Sequence, residues 1–240
     1  MNPVKHTLPS AVIVYDADRL SAPTRDWFDP GWWGAAGRRG VAATGRGEAW
    51  MVESDAGPAV LRGYLRGGWP RHLSRDRYVF TGYGRSRPVR EFDVLAGLQR
   101  LGLPSPAPLA ALCERHGAWY TGALLMSRIE AQATLADRLG ERYAADPLWA
   151  RVGACIRRFH EAGAWHADLN VRNVLLGVDG VVSLIDFDRA RLTPGRPVAG
   201  RGNLERLRRS VAKEWPAASA GAMERAWAGL EGGYLGQSDV

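Results

Sequence analysis

Apolar and polar positions follow short strand-like runs in the first half of the chain and helical periods in much of the second. Two apolar runs, 49–53 and 59–64, flank the turn-forming residues Ser-Asp-Ala-Gly-Pro and predict a β-hairpin. From 88 to 101 apolar residues recur at spacings of three, which predicts a helix that ends at a glycine. Alternate prolines over 104–108 predict an extended connection to a buried strand over 120–129.

Helix-start signals mark the beginning of the second half. Thr134 followed three residues later by Asp137 is the pattern of a capping box and predicts a short helix. Asp146 and Pro147 are typical of a helix start, and the apolar face of the helix that they predict continues until Gly163 ends it.

The rest of the second half combines a small hairpin with helices. Runs over 174–177 and 181–185 predict two strands joined by an Asp-Gly turn. The last fifty residues predict helices, with Asn203 opening one segment and Gly221 preceding another. The predicted fold class is therefore α+β. We expect a strand-rich N-lobe over 1–126, a hinge over 127–130 and a helical C-lobe over 131–240.

Composition narrows the number of domains, the class of binding partner and the cellular compartment that we expect. A chain of 240 residues fits one domain or two small lobes, and its net charge of +7 fits an anionic partner such as nucleotide phosphates, acidic lipid headgroups or nucleic acid. No apolar run reaches the roughly 18 residues that span a bilayer, and the N-terminus lacks the pattern of a signal peptide. The two cysteines lie in apolar, helix-like contexts, which favours buried free thiols in a reducing compartment.

The strongest chemical signal is the spacing H-x-D-x-x-x-x-N over 166–173, followed thirteen residues later by Asp186. Phosphoryl transfer needs a carboxylate that orients the acceptor hydroxyl and takes its proton, and further oxygen ligands that hold magnesium against the phosphates. A loop between a helix and a hairpin can supply both. We predict Asp168 as the catalytic base and Asn173 and Asp186 as magnesium ligands. His166 is a candidate catalytic residue, and ordering of the loop is the role that we favour for it.

This motif resembles the protein-kinase-like superfamily, and the stretch 159–188 resembles its small-molecule and lipopolysaccharide-sugar kinases. A wider resemblance, to the 3-deoxy-D-manno-octulosonic acid (Kdo) kinase family, is carried by the segments 27–33, 60–68, 78–82, 90–92 and 203–210. The resemblance implies a bilobal kinase-like fold with a reduced helical C-lobe. It also implies ATP-dependent phosphorylation of the 4-hydroxyl of Kdo attached to lipid A, with Mg²⁺, by a peripheral protein on the cytoplasmic face of the bacterial inner membrane.

The nucleotide side of the site departs from the protein-kinase pattern. Gly45 and Gly47 precede the first strand of the hairpin and are candidates for the phosphate-covering loop, although an ordinary turn explains them as well. The next strand carries Arg62 where the superfamily has lysine, and an arginine can bind phosphate through a bidentate fork. Glu91, on the predicted helix that follows, is the candidate carboxylate that orients Arg62.

Two features suggest the nature of the acceptor. Only 54 residues follow Asp186, which leaves no room for a peptide-docking region, so we expect a small acceptor or a small headgroup. The segment 62–90 interleaves arginines with aromatic residues and carries one carboxylate. It fits an anionic membrane surface, a nucleic-acid backbone or an ordinary solvated face; we favour the membrane and expect no nucleic acid. The candidate membrane or acceptor residues are Arg66, Arg71, Arg75, Arg85 and Arg87.

Other interpretations stay open from the residues alone. The tryptophan-rich stretch 27–33 is either core packing or an interfacial wedge. The acceptor could be a heptose or an antibiotic instead of Kdo, with the same catalytic residues. A non-catalytic kinase-shaped binding module is a further alternative, supported by Arg62 and the incomplete glycine loop and opposed by the intact Asp168, Asn173 and Asp186.

Overall fold

The computed structural model describes residues 1–21, 23–35, 37–42, 49–64, 78–216 and 220–236. The chain divides into two compact units. The first unit comprises Met1–Ala96 and Pro106–Arg128, and the second comprises Gly97–Ser105 and Ile129–Val240. Helices accompany mainly antiparallel sheets, which confirms the α+β class. The predicted lobe boundaries stay a prediction.

The first unit is built on an eight-stranded antiparallel sheet with the strand order β1-β2-β7-β8-β5-β4-β3, and with β6 paired to β8. Its helix α2 belongs to this unit as far as Ala96. The elements are β1 (Pro3–Leu8), β2 (Ala11–Asp16), α1 (Pro30–Ala35), β3 (Arg39–Ala42), β4 (Ala49–Ser54), β5 (Gly57–Gly63), β6 (Tyr78–Val79), α2 (Arg87–Arg100), β7 (Pro108–His116) and β8 (Trp119–Ser127).

The predicted hairpin, helix and strand of this unit are confirmed as β4–β5, α2 and β8. The hairpin turn is tighter than expected, because Ser54 already pairs with Gly57. The strand β7 was not predicted, because the prolines over 104–108 indicated an extended connection that leads to the strand at 120. Proline is tolerated at the first position of a strand, and β7 begins at Pro108 and lies between β2 and β8 in the sheet.

The tryptophan-rich stretch packs in the core of the first unit. Trp27 and Trp33 are buried in one hydrophobic cluster with residues of β2, β5, β7 and β8. The indole nitrogen of Trp33 donates a hydrogen bond of 2.8 Å to the backbone oxygen of Trp27, so the one polar group of the buried ring is satisfied. Core packing is therefore the interpretation that the structure supports for these two rings.

The second unit combines helices with two small sheets, one of β10 and β13 and one in the order β12-β11-β9. Its elements are β9 (Ala133–Thr134), α3 (Leu148–Glu161), β10 (Ala164–Trp165), β11 (Val174–Leu176), β12 (Val182–Leu184), β13 (Arg191–Leu192), α4 (Arg201–Glu214) and α5 (Ala220–Leu235). Within the described ranges, none of the helices has both the length and the apolarity that crossing a bilayer requires.

Local sequence signals set most elements of this unit. The capping box of Thr134 is present at the 3₁₀ helix Leu135–Arg138, and the side chain of Asp146 accepts a hydrogen bond of 2.7 Å from Leu148 at the start of α3. The helix α3 packs closely on α5 at Gly153. A Cβ added at this glycine would lie only 2.0 Å from the backbone oxygen of Leu230 on α5. A larger residue at Gly153 would force these helices apart.

Two predicted helix starts were wrong by two residues. The helix α4 begins at Arg201, so Asn203 lies inside it, and Gly221 lies inside α5. Asn203 does not cap the helix because its side chain is buried and bound to another segment of the unit. That contact places it in the candidate active site.

Candidate active site

The motif at 166–173 forms a loop between β10 and β11, and the buried side chain of His166 orders this loop. This residue is 4% exposed, and both of its ring nitrogens are hydrogen-bonded. Nδ1 accepts a bond of 3.1 Å from the backbone N–H of Asp168, so Nε2 carries the proton that it donates to the backbone oxygen of Ile185 at 2.9 Å. Burial lowers the pKa of His166, which favours the neutral ring that this arrangement needs.

Asp168 presents its carboxylate at the exposed side of the loop. Its side chain is 59% exposed. Its backbone oxygen accepts hydrogen bonds from the side-chain amides of Asn170, at 3.0 Å, and Asn173, at 2.9 Å. The carboxylate itself accepts bonds from Asn170 at 3.2 Å and from Arg206 at 3.1 Å. A well-supported backbone thus carries an accessible carboxylate, as a general base that meets an external hydroxyl requires.

The hairpin β11–β12 brings Asn173 and Asp186 to the same end of the second unit. Val174 pairs with Leu184, and the backbone N–H of Ile185 donates to the oxygen of Asn173 at 3.0 Å. Asp186 follows directly, with a left-handed φ of 62°. Few residues other than glycine adopt this conformation, aspartate being among those that tolerate it, and such residues concentrate at functional sites.

Phe187 fixes the chain immediately after Asp186. Its ring is 1% exposed and lies between His166, at a centroid distance of 4.9 Å, and Phe159 of α3, at 5.7 Å. The same imidazole therefore supports both the loop that carries Asp168 and the strand end that carries Asp186. This shared support explains why histidine suits the first position of the motif.

The donor set of Asn173 and Asp186 fits a magnesium ion. Both offer hard oxygen atoms, and Mg²⁺ is commonly held by one or two carboxylates, with phosphates and water completing its shell. The amide nitrogen of Asn173 is used within the loop, which leaves Oδ1 as the atom for a metal. The described residues contain no cluster of three or more His, Cys, Asp or Glu side chains that could hold a metal ion without such external ligands.

Helix α4 contacts the loop about once per turn. Asn203 binds both backbone groups of His166: its Oδ1 accepts from N–H at 3.1 Å, and its Nδ2 donates to the oxygen at 2.6 Å. Further along the helix lie three more contacts. They are Arg206 with Asp168 at 3.1 Å, Ser210 Oγ accepting from the N–H of Val171 at 3.2 Å, and Arg172 with Glu214 at 2.6 Å.

Asn203 also joins the loop to helices α3 and α5. The Nε2–H of His160 donates to Asn203 Oδ1 at 3.0 Å, and His160 Nδ1 accepts from the hydroxyl of Tyr234 at 2.9 Å. Burial lowers the pKa of His160, so the neutral ring is favoured here as well. One amide side chain thus connects three helices to the start of the loop.

From the sequence, Asn203 was predicted only to open a helix, and neither Asn203 nor Arg206 was predicted to take part in the site. A signal was available for Asn203 in the sequence, because its spacing places it on one helical face with the apolar residues Leu207 and Val211. In the structure all three are buried. A polar residue on the apolar face of an amphipathic helix needs buried partners, which predicts a structural contact. No comparable signal marks Arg206, since arginine is frequent throughout the chain.

In the first unit, Arg62 of β5 forms the expected ion pair with Glu91 of α2. The Glu91 side chain is 1% exposed, and it accepts hydrogen bonds from both Arg62 and the Tyr64 hydroxyl. Burial, followed by the charge of Glu91, raises the pKa of Tyr64 well above its usual value, so the hydroxyl stays protonated and donates. This arrangement holds the Arg62 guanidinium in place.

The other predicted arginines and glycines divide into three groups. Arg85 is exposed. Arg87 packs on the rings of Tyr64 and Tyr78, with its Cζ 5.6 and 4.9 Å from their centroids, and donates to the Tyr78 hydroxyl. The remaining predicted residues, Gly45, Gly47, Arg66, Arg71 and Arg75, lie outside the described residues.

Comparison with known proteins identifies the family. The sequence model of the lipopolysaccharide kinase (Kdo/WaaP) family matches residues 31–234. This chain belongs to the lipopolysaccharide kinase (Kdo/WaaP) family. It is therefore a kinase, an enzyme that transfers phosphate to a hydroxyl group, which confirms the resemblance seen in the sequence.

Individual relatives agree with this membership. A 3-deoxy-D-manno-octulosonic acid kinase of Stenotrophomonas maltophilia is 40% identical over 213 residues, which cover 89% of this chain and 85% of the relative. Proteins of the same name from Xanthomonas euvesicatoria and Xylella fastidiosa are 44% and 43% identical over 201 residues, or 84% of this chain and 80% of each relative. The sequence identity between this kinase and these relatives therefore extends well beyond the loop motif at 166–173.

Proposed function

We propose that this protein phosphorylates the 4-hydroxyl of Kdo in a Kdo–lipid A acceptor, with ATP as the donor, during synthesis of the lipopolysaccharide core. The observation that carries the proposal is identity of 40–44% to Kdo kinases over at least 80% of their length. The accessible Asp168 carboxylate on an ordered loop supports it from the structural side. We also propose that the two compact units are the N- and C-lobes of a bilobal kinase-like fold.

In this mechanism Asp168 is the catalytic base. Its carboxylate accepts a hydrogen bond from the acceptor hydroxyl and takes the proton as the oxygen attacks the γ-phosphorus. The bond between that phosphorus and the β–γ bridging oxygen breaks, and ADP leaves. His166 and Asn173 keep the backbone of Asp168 in place, so the carboxylate needs little rearrangement before reaction.

Magnesium and the nucleotide phosphates have separate candidate ligands. Asn173 and Asp186 are the residues that would hold Mg²⁺, which neutralises charge on the phosphates when bound. Arg62, oriented by Glu91, is our candidate for the α- and β-phosphates, and its guanidinium also contacts the Tyr64 hydroxyl at 3.1 Å. Gly45 and Gly47 stay the candidates for the phosphate-covering loop.

We propose that the protein acts at the cytoplasmic face of the inner membrane as a peripheral protein. The basic excess of the chain and the exposed Arg85 support this, together with Arg66, Arg71 and Arg75. Attraction of arginine to anionic lipid is screened over about 8 Å at physiological salt, so flotation with anionic vesicles should decrease as salt rises. Protein that stays off anionic vesicles at low salt would contradict the membrane proposal.

The reaction itself is tested by transfer of labelled phosphate to purified Kdo–lipid A. We expect a product heavier by one phosphate in mass spectrometry and a phosphorus–proton coupling to the 4-position of Kdo in NMR spectra. Heptose-containing cores and an aminoglycoside serve as competing acceptors. Faster transfer to either of these than to Kdo–lipid A would refute the proposed acceptor.

A further inference from the structure

Arg206 places a guanidinium directly beside the candidate catalytic carboxylate. Its Nη1 donates to Asp168 Oδ1 at 3.1 Å, and the side chains are 47% and 59% exposed. Arg206 lies on α4, which Asn203 one turn earlier holds at the loop, and the neighbouring Leu207 is fully buried. The cation is therefore carried by a rigid element and open to solvent.

The Arg206 guanidinium has more N–H donors than its contact with Asp168 uses. Arginine offers five N–H groups in a planar fork, and within the described part of the chain the contact of Arg206 is a single one, to Asp168. A half-exposed ion pair joined at one point contributes little to stability. The same geometry leaves the rest of the fork able to bind a second anion next to the first carboxylate.

Other cations and polar groups of the loop do not fill this position. Arg172 is turned to Glu214, with contacts of 2.6 and 3.3 Å. Asn170 contacts the Asp168 carboxylate with a neutral amide at 3.2 Å. Among the described cations, Arg206 is thus the one in contact with Asp168.

We propose that Arg206 binds the carboxylate of the acceptor sugar acid, next to the hydroxyl that Asp168 orients. The inference rests on the proposed function, whose acceptor is an acid. A hydroxyl within about 2.6–3.2 Å of Asp168 and a carboxylate within about 2.7–2.9 Å of the Arg206 fork would anchor one sugar ring at two adjacent points. Two anchors fix both the position and the rotation of the ring, so Arg206 is a specificity-determining residue for acid sugars.

The test combines a protein change with a change in the acceptor. Arg206→Gln is compared with wild type on Kdo–lipid A and on the same acceptor with the Kdo carboxyl converted to its methyl ester. Arg208→Gln is the matched control, because Arg208 lies on the same helix, is 48% exposed and pairs with one carboxylate, Glu224, at 2.8 Å. Thermal unfolding verifies that each variant is folded.

We expect Arg206→Gln to raise the acceptor KM about 10- to 100-fold, as loss of a charge-assisted hydrogen bond does, with the KM for ATP unchanged. Esterification should weaken the wild type by a similar factor and leave Arg206→Gln unaffected, since each change removes the same interaction. Arg206→Lys should restore part of the affinity for the acid. Arg208→Gln should respond to the ester as wild type does.

Three results would overturn the inference. The first is an Arg206→Gln defect that is equally large on acid and ester, which would assign the guanidinium to the transferred phosphoryl group or to Asp168 alone. The second is a fall in kcat with the acceptor KM unchanged. The third is kinetics identical to Arg208→Gln. A wild type that is inactive on Kdo–lipid A would instead refute the proposed function itself, so the two failures are distinguishable. If Arg206→Gln does not fold, Arg206→Met, which also removes the positive charge, takes its place in the acid–ester comparison.

Discussion

Replacing Asn203 with alanine should destabilise the second unit and disorder the catalytic loop. The change removes three hydrogen bonds at once: from the N–H of His166, to the oxygen of His166, and from Nε2 of His160. A buried polar group left without a partner costs about 1–3 kcal/mol. Three such groups set an upper range of about 3–9 kcal/mol, and water entering the space of the lost amide lowers the expected cost to about 3–5 kcal/mol.

Ser210→Ala provides the scale for this prediction. Ser210 lies on the same helix as Asn203, and its replacement removes a single acceptor, the one used by the N–H of Val171 at 3.2 Å. We therefore expect this variant to lose about 1 kcal/mol of unfolding free energy. Asn203→Asp should fall between the two variants. It keeps an acceptor for His166 N–H and His160 but places a carboxylate oxygen against the backbone oxygen of His166.

Hydrogen exchange read peptide by peptide is the suitable assay, because a chain with two compact units does not guarantee one two-state transition. We expect Asn203→Ala to lose protection over 166–173 and in α4, to lower the urea midpoint of the second unit, and to reduce kcat. Strands β4 and β5 of the first unit are the internal reference. Protection over 166–173 that matches Ser210→Ala would refute the view that Asn203 is the principal anchor of the loop.

Three further predictions concern the chemistry and its pH dependence. Asp168→Ala should lower kcat about 10²- to 10⁴-fold with little change in the thermal midpoint or the KM for ATP; near-normal steady-state turnover of the folded variant would remove it from the mechanism. Arg62→Lys should retain more ATP affinity than Arg62→Ala. The alanine variant should also unfold at a lower temperature, because the buried Glu91 loses a cationic partner. Equal ATP affinity and equal unfolding temperatures in the two variants would contradict the assignment. Because burial lowers the pKa of His160, the unfolded chain binds protons more readily than the folded one, so stability is fully present above about pH 6.5 and decreases as pH falls below it. Urea midpoints between pH 5 and 8 measure this dependence, and a slope equally steep in His160→Gln would assign it to other groups.

Much of the fold was accessible from the sequence wherever the signal was local. The helix α3 has a start residue, a regular apolar face and a glycine stop, and the hairpin β11–β12 has an Asp-Gly turn between apolar runs. The strand β2 was missed for a physical reason. It is buried along its whole length, and a strand buried on both faces loses the alternation that identifies a half-exposed one.

The residues of the candidate site also divide into those that the sequence predicted and those that only the tertiary structure revealed. The sequence by itself determined the loop 166–173, its link to Asp186 and the pairing of Arg62 with Glu91, because motif spacing and one helix–strand pairing suffice for these. The tertiary structure alone decided that Asn203 anchors His166 and that Arg206 meets Asp168, across separations of 37 and 38 residues. Helical periodicity determines which side chains share a face of α4, whereas what that face meets depends on how the whole unit packs around it.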